Sequence, residues 1–226
     1  MSSPRDLSAA ASPFVVGIGG GSGAGKTALA AAIARALGTT RTARLAHDAY
    51  YRDRSDVAPA QRAELNYDVP EALDHELFRE HLHALRRGRT ITPPRYCFTT
   101  HGRIGLADPV APAEIVLVEG ILVFHDPDLR EAFDLRMWVD APDHLRLTRR
   151  IERDTAERGR TVESVLAQCR RFVFPAHARW AEPTRSCAHL VLLNTGRLEA
   201  AAEVAASVIR ARLERRGVVS GRVRAA

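Results

Sequence analysis

The chain has 226 residues, 46% hydrophobic and 27% charged, which suits a globular protein of one ordinary domain with small appendages. Its longest apolar stretch, 115–124, is broken by Glu119 and Gly120 and is too short to span a bilayer, and its first residues lack the hydrophobic core of a signal peptide. The net charge of +6 and isoelectric point near 9.9 favour acidic partners, be they nucleic acid, phosphates or anionic lipid, without choosing among them.

In chain order, residues 1–12 read as a disordered lead-in, 13–215 as one domain and 216–226 as a tail. Phe14–Gly19 (FVVGIG) is a short buried strand, followed by a glycine loop and a helix over 26–37. A second strand ends at 44–46, before HDAYYRD. Leu77, Leu82 and Leu85 give 76–87 helical spacing, and Gly88 ends it. The stretch TITPPRYCFTTHGR suits a β-hairpin, placed at about 91–106. Residues 114–118 (EIVLV) form an apolar run of the parallel-strand type, and 135–139 another. Residues 142–154 and 162–171 read as helices, 190–193 as a last strand and 198–215 as a long amphipathic helix. Strands alternating with helices predict an α/β fold, an open parallel sheet flanked by helices, with the hairpin standing outside the alternation.

Gly20-Gly21-Ser22-Gly23-Ala24-Gly25-Lys26-Thr27 matches G-x-x-x-x-G-K-[ST] without a mismatch. Glycines let successive N–H groups converge on an anion, and the following helix adds its positive end. Of 33 basic residues only Lys26 is a lysine. A compact ammonium reaches the β- and γ-phosphates where a planar guanidinium fits poorly, and the Thr27 hydroxyl suits Mg²⁺. A nucleotide triphosphate site is therefore expected. The guanine-reading Asn-Lys-x-Asp of GTPases cannot exist in a chain with no second lysine.

Two carboxylates stand at strand ends on the edge that carries the glycine loop. Asp48 follows the second strand and suits a base, a holder of metal-bound water or a helix cap. Glu119 closes EIVLVE where a metal-positioning acid would stand, or is merely solvated. Arg146, Arg150 and Arg153 share one helix face, where like charges at that spacing repel, so an anion between them would relieve the strain. Glu152, Asp154 and Glu157 alternatively supply ordinary surface pairing. Arg158-Gly-Arg160 gives the helix a flexible end, and about 150–162 reads as an arginine-rich lid over phosphates. Cys97, Cys169 and Cys187 are odd in number and widely spaced, which predicts reduced thiols in a cytoplasm rather than disulfides or a zinc site.

The segments GGGSGAGKT (19–27), HDAYYRD (47–53), NYDVPEALD (66–74), RYCFTTHGR (95–103), VEGILVF (118–124), WVDAPDHLRLTRRIERDTAERGR (138–160) and Gln168 occur here in one order. With them the chain resembles the uridine/cytidine kinases, the nucleoside branch of the phosphoribulokinase–uridine kinase group, across about residues 14–195. The resemblance implies a P-loop kinase using ATP (or GTP) and Mg²⁺, with the hairpin closing over a nucleoside. It implies Asp48 as base on the 5′-hydroxyl, with Thr27 and Glu119 near the metal. Asp68 and Gln168 would hold the ribose, Tyr96 and His101 would read the pyrimidine edge, and Phe98 would stack nearby. Arg150, Arg153, Arg158 and Arg160 match lid and substrate arginines, and homo-oligomers are carried over from the family.

Val69, Tyr67, Cys97 and Cys169 stand where that family often has His, Phe, Asp and Tyr. In an extended 95–99, Tyr96 and Phe98 point one way and Cys97 the other. The expected reaction is phosphorylation of uridine or cytidine on the 5′-hydroxyl, as in pyrimidine salvage, with small-molecule partners and neither nucleic acid nor membrane. Rivals are the same machinery acting on pantothenate, ribulose 5-phosphate or nicotinamide riboside, and a nucleotide-switched protein binding nucleic acid through its arginines.

Overall fold

A computed structural model describes residues 12–217. The expected lead-in and tail lie outside them except for Ser12, Arg216 and Gly217. The elements run β1 (Phe14–Gly19), α1 (Lys26–Leu37), β2 (Thr42–Ala46), α2 (Pro59–Arg62), α3 (His75–Arg86), β3 (Pro94–Cys97), β4 (Gly102–Leu106), β5 (Ile115–Glu119), α4 (Pro127–Glu131), β6 (Leu135–Asp140), α5 (Asp143–Glu157), α6 (Val162–Gln168), α7 (Phe174–Ala176), β7 (Leu190–Leu193) and α8 (Leu198–Arg215).

Five strands form a parallel sheet in the order β2-β5-β1-β6-β7. From β1 the chain crosses to one edge, returns at β5 and then builds the other side with β6 and β7. The carboxyl end of β1 is therefore the switch point, where open α/β sheets bind ligands. Side chains alternate between faces along each strand. Val15, Val116 and Val118 pack on one side with Phe78, Leu82, Phe124 and Trp138. Val16, Ile18, Ile115 and Leu117 pack on the other with Leu29, Ile33 and Ile209. In α8, Ala202, Ala205, Ala206, Ile209 and Leu213 recur at helical spacing and are the buried face. No helix among the described residues is long and apolar enough to cross a membrane.

The hairpin forms a separate antiparallel pair, β3 with β4, as the sequence predicts. Several boundaries differ from expectation. The helix expected over 76–87 is α3, one residue earlier, because the Asp74 carboxylate caps it by accepting from the Leu77 N–H at 3.3 Å. The helix expected over 142–154 continues to Glu157. The one expected over 162–171 is α-helical only to Gln168, then passes through π turns at Cys169–Val173 and His177–Ala181 on either side of α7. Pro175 lies inside that stretch. A proline supplies no N–H to an α-helical ladder, and wider turns around it let the helix go on. The three cysteines are free thiols.

Candidate active site

The glycine loop joins central β1 to α1. Gly25 caps the helix in the left-handed region at φ 97°. Gly23, at φ +78°, presses so close to α5 that a Cβ there would lie 2.2 Å from the Arg146 carbonyl oxygen. The Lys26 ammonium folds back and donates to the Gly21 carbonyl at 3.1 Å. Burial lowers its pKa from the ordinary lysine value, against the pull of Glu119 and Asp48. Glu119, last residue of β5, is 7% exposed and accepts from the Thr27 hydroxyl at 2.9 Å. Burial raises its pKa first, and the neighbouring Asp48 raises it further.

Asp48 reaches the same place from the turn after β2, and its buried Oδ1 has no hydrogen-bond partner. Magnesium characteristically takes one or two carboxylates and completes its shell with phosphate oxygens and water. Glu119, Asp48 and the Thr27 hydroxyl fit that donor set, the orphaned Asp48 oxygen above all. Among the described residues no group of three or more His, Cys, Asp and Glu side chains could hold a metal by itself, so a cation here would be shared with a nucleotide.

Beside the loop, one small cavity of about 40 Å³ draws its walls from several parts of the chain. Ser22 comes from the glycine loop and Asp48 and Tyr51 from the segment after β2. Tyr67 and Asp68 come from the stretch before α3, and Tyr96, Phe98 and His101 from the hairpin. Arg150, Arg153, Arg158, Arg160 and Gln168 come from α5, its end and α6. Every residue the sequence proposes for the acceptor is thus brought to one place. Asp68 is set by a turn in which its N–H donates to Asn66 Oδ1 at 3.0 Å, and burial raises its pKa.

Gln168 Oε1 accepts from Arg150 at 2.7 Å and from Arg160 at 2.8 Å. Arginine only donates, so the amide NH₂ of Gln168 is left as a donor. His101 sits at φ 51°, in the left-handed region, with its ring stacked on Tyr67 at 4.6 Å and 15°. Its Nε2 faces Arg160 at 3.1 Å and must accept, placing the ring proton on Nδ1. Burial, then Arg160 and Arg158, push its pKa down to about 4. Arg158 lies 4.1 Å over the Phe98 ring, and burial lowers its pKa to about 10, still a cation at neutral pH.

Tyr51, Tyr67 and Ile121 also line the cavity, although the sequence reading gave none of them a role. The hydroxyls of Tyr67 and Tyr96 are both buried without a partner. Val69 packs against the aromatic core and Cys97 stays off the lining, so of the unusual residues Tyr67 alone lines the cavity.

The arginine face needs one correction. Arg146 differs from Arg150 and Arg153 in its partners: it donates to the Ser22 carbonyl at 3.2 Å, to Asp143 at 3.0 Å and to His177 at 2.9 Å, and lies outside the cavity lining. Asp154, read as a surface partner, is 0% exposed and touches Arg150, Arg153, Arg158 and Arg160. Nothing in the alternating charges of RRIERDTAERGR sets it apart from Glu152 or Glu157.

The model of the phosphoribulokinase / uridine kinase family matches residues 15–199. A uridine kinase of Chloroflexus aggregans is 40% identical, over 89% of this chain and 97% of its own length. One of Deinococcus deserti is 41% identical, over 88% and 96%. The phosphoribulokinase of Rhodobacter spheroides superposes with a TM-score of 0.58 at 16% identity, over 81% of this chain and 71% of its own, a likeness of fold. With the glycine loop, the strand-end acids and the arginine lid all within the matched span, the chain belongs to the phosphoribulokinase / uridine kinase family.

Proposed function

We propose that the protein transfers the γ-phosphoryl group of ATP (or GTP) to the 5′-hydroxyl of uridine or cytidine, a step of pyrimidine salvage. The observation that carries this reading is the single cavity in which Ser22 of the phosphate loop meets two carboxylates, Asp48 and Asp68, and the hairpin's Tyr96 and His101. The names of the relatives favour uridine kinase over the pantothenate, ribulose 5-phosphate, nicotinamide riboside or nucleic-acid readings.

The geometry supports this reaction. The glycine-loop N–H groups and Lys26 hold the β- and γ-phosphates. Asp48, on the carboxylate oxygen that does not hold the cation, takes the proton of the 5′-hydroxyl as the hydroxyl oxygen attacks the γ-phosphorus and the bond to the β-phosphate oxygen breaks, releasing the nucleoside diphosphate. Bound Mg²⁺ would neutralise charge on the β- and γ-oxygens, held by Thr27, Glu119 and Asp48. Arg153 and Arg158 face the transferring group, where charge spreads over its equatorial oxygens.

Asp68 accepts from neighbouring ribose hydroxyls, and the free amide of Gln168 donates to one. Tyr96 and His101 read the base edge. The unpartnered hydroxyls of Tyr67 and Tyr96 can each donate or accept, which suits an edge that differs between uracil and cytosine by a carbonyl and an amine. A homo-oligomer in the cytoplasm belongs to the same proposal.

A panel of alcohols with ATP and Mg²⁺ tests it. Uridine and cytidine should release ADP at least tenfold faster than pantothenate, ribulose 5-phosphate or nicotinamide riboside, well within the discrimination that hydrogen-bonding pockets give. Faster release with any of those three would replace the acceptor.

A further inference from the structure

Asp154 lies beneath the cavity, fully buried, on the last turns of α5. Its two oxygens divide the arginines. Oδ1 meets Arg153 at 2.8 Å and Arg158 at 3.3 Å, while Oδ2 meets Arg160 at 2.9 Å and Arg150 at 3.6 Å. The first pair faces the transferring phosphoryl group in the reading above. The second spans both sides: Arg150 and Arg160 hold Gln168 and Arg160 reaches His101, while Arg150 also bonds the Ser22 hydroxyl of the phosphate loop at 2.7 Å.

The main chain of Asp154 joins in. Its carbonyl accepts from the N–H groups of Arg158 and Arg160 at 3.3 and 3.2 Å. Gly159, at φ 63°, turns the chain between them so that both side chains return to one carboxylate. Burial works against this charge, yet Arg153, Arg150 and Arg158 hold the carboxyl below the usual range.

Four guanidiniums around one carboxylate leave a local excess of positive charge, which repels itself unless anchored. A carboxylate fixed on a helix sets where those cations stand before any phosphate arrives, and prearranged charge of this kind needs no reorganisation during reaction. We infer that Asp154 is the positioning residue of the lid: its two oxygens hold Arg153 and Arg158, and Arg150 and Arg160, around the cavity between the phosphate loop and the acceptor. It shares these cations with the incoming phosphates rather than touching substrate. The inference deepens the proposed kinase reading and rests on it for the reaction.

Two variants test it. Asp154→Glu keeps the charge but displaces the oxygens, and kcat for uridine phosphorylation should fall about 100-fold, the scale on which a shift of ~1 Å acts. KM for ATP should stay within about threefold, since the phosphate loop itself is untouched. KM for uridine should rise, since Arg150 and Arg160 hold Gln168 and Arg160 meets His101. Asp154→Asn removes the anion. Its ligand-free melting temperature should drop, and inorganic tripolyphosphate should raise that temperature by more than it raises the wild type's, because the guanidiniums then lack any counter-ion.

A merely structural Asp154 would not produce that larger response to an anion. The inference is overturned if Asp154→Glu keeps wild-type kcat, or if tripolyphosphate stabilises Asp154→Asn no more than wild type. Should the Asn variant fail to fold, the Glu variant decides. If wild type phosphorylates no pyrimidine nucleoside, the acceptor reading fails, and the tripolyphosphate comparison still judges Asp154.

Discussion

Lys26 is the one lysine in a chain that otherwise uses arginine, and its setting explains the choice. The ammonium is 7% exposed, bonded to the loop's own carbonyl and flanked by Glu119 and Asp48. A guanidinium is broader and demands planar partners, which a closed glycine loop does not offer. Lys26→Arg should therefore lower turnover by about 10²-fold or more, as removing a transition-state cation or donor does. Full activity in that variant would refute the steric argument. This position was legible in the sequence because the motif fixes residue type at a fixed spacing. Asp154 was not, because nothing in a run of alternating charges distinguishes a buried carboxylate from a solvated one. In sequence Tyr67 reads only as a replacement for Phe, and its part in the cavity depends on the ring stacking that sequence does not display.

The elements divide by how local their causes are. The strands and α1 follow from apolar periodicity and the glycine loop, and the structure has them where the pattern puts them. The region after Gln168 follows instead from how a helix accommodates Pro175 with π turns, and a proline in sequence reads as a stop. Two glycines show what an element demands of a residue. Gly23 and Gly159 both have positive φ, so a side chain is strained at either by about 1–2 kcal/mol. At Gly159 nothing lies within 4 Å of the added Cβ, whereas at Gly23 the Arg146 backbone lies in the way. Gly159→Ala should cost only that strain in a denaturation experiment. Gly23→Ala should cost more and also weaken ATP binding measured by titration calorimetry, since the loop cannot close against α5. Equal effects from the two would show that space at the loop does not matter.

At the scale of the whole molecule, the sheet brings strand ends, hairpin and lid to one edge, and its acid response follows from what lies beneath. His47 is fully buried, packed 4.4 Å from Phe78, with neither ring nitrogen bonded. Burial lowers its pKa from 6.5 to about 3, and lowers His101 and His177 to about 4. Such groups are neutral in the fold and protonated in the unfolded chain between those values and 6.5, so the unfolded state binds more protons there. Stability should be fully present above pH 6.5 and fall as pH drops toward 4. Urea denaturation at pH 7.5, 5.5 and 4.5 checks it, and His47→Leu should lessen the loss by an amount on the order of a few kcal/mol. A stability independent of pH across that window, or a His47→Leu slope equal to wild type, would contradict the assignment.

The central claim is that Asp48, poised between the phosphate loop and the acceptor cavity, draws the proton from a pyrimidine nucleoside's 5′-hydroxyl. The most direct measurement is formation of 5′-UMP from uridine, ATP and Mg²⁺ by wild type and Asp48→Asn at saturating substrate. Wild type should make 5′-UMP, and the variant should be slower by about 10²–10⁴-fold, the contribution of a positioned base, while binding ATP nearly as well. No 5′-UMP from wild type, or near-normal turnover in Asp48→Asn, would contradict the account.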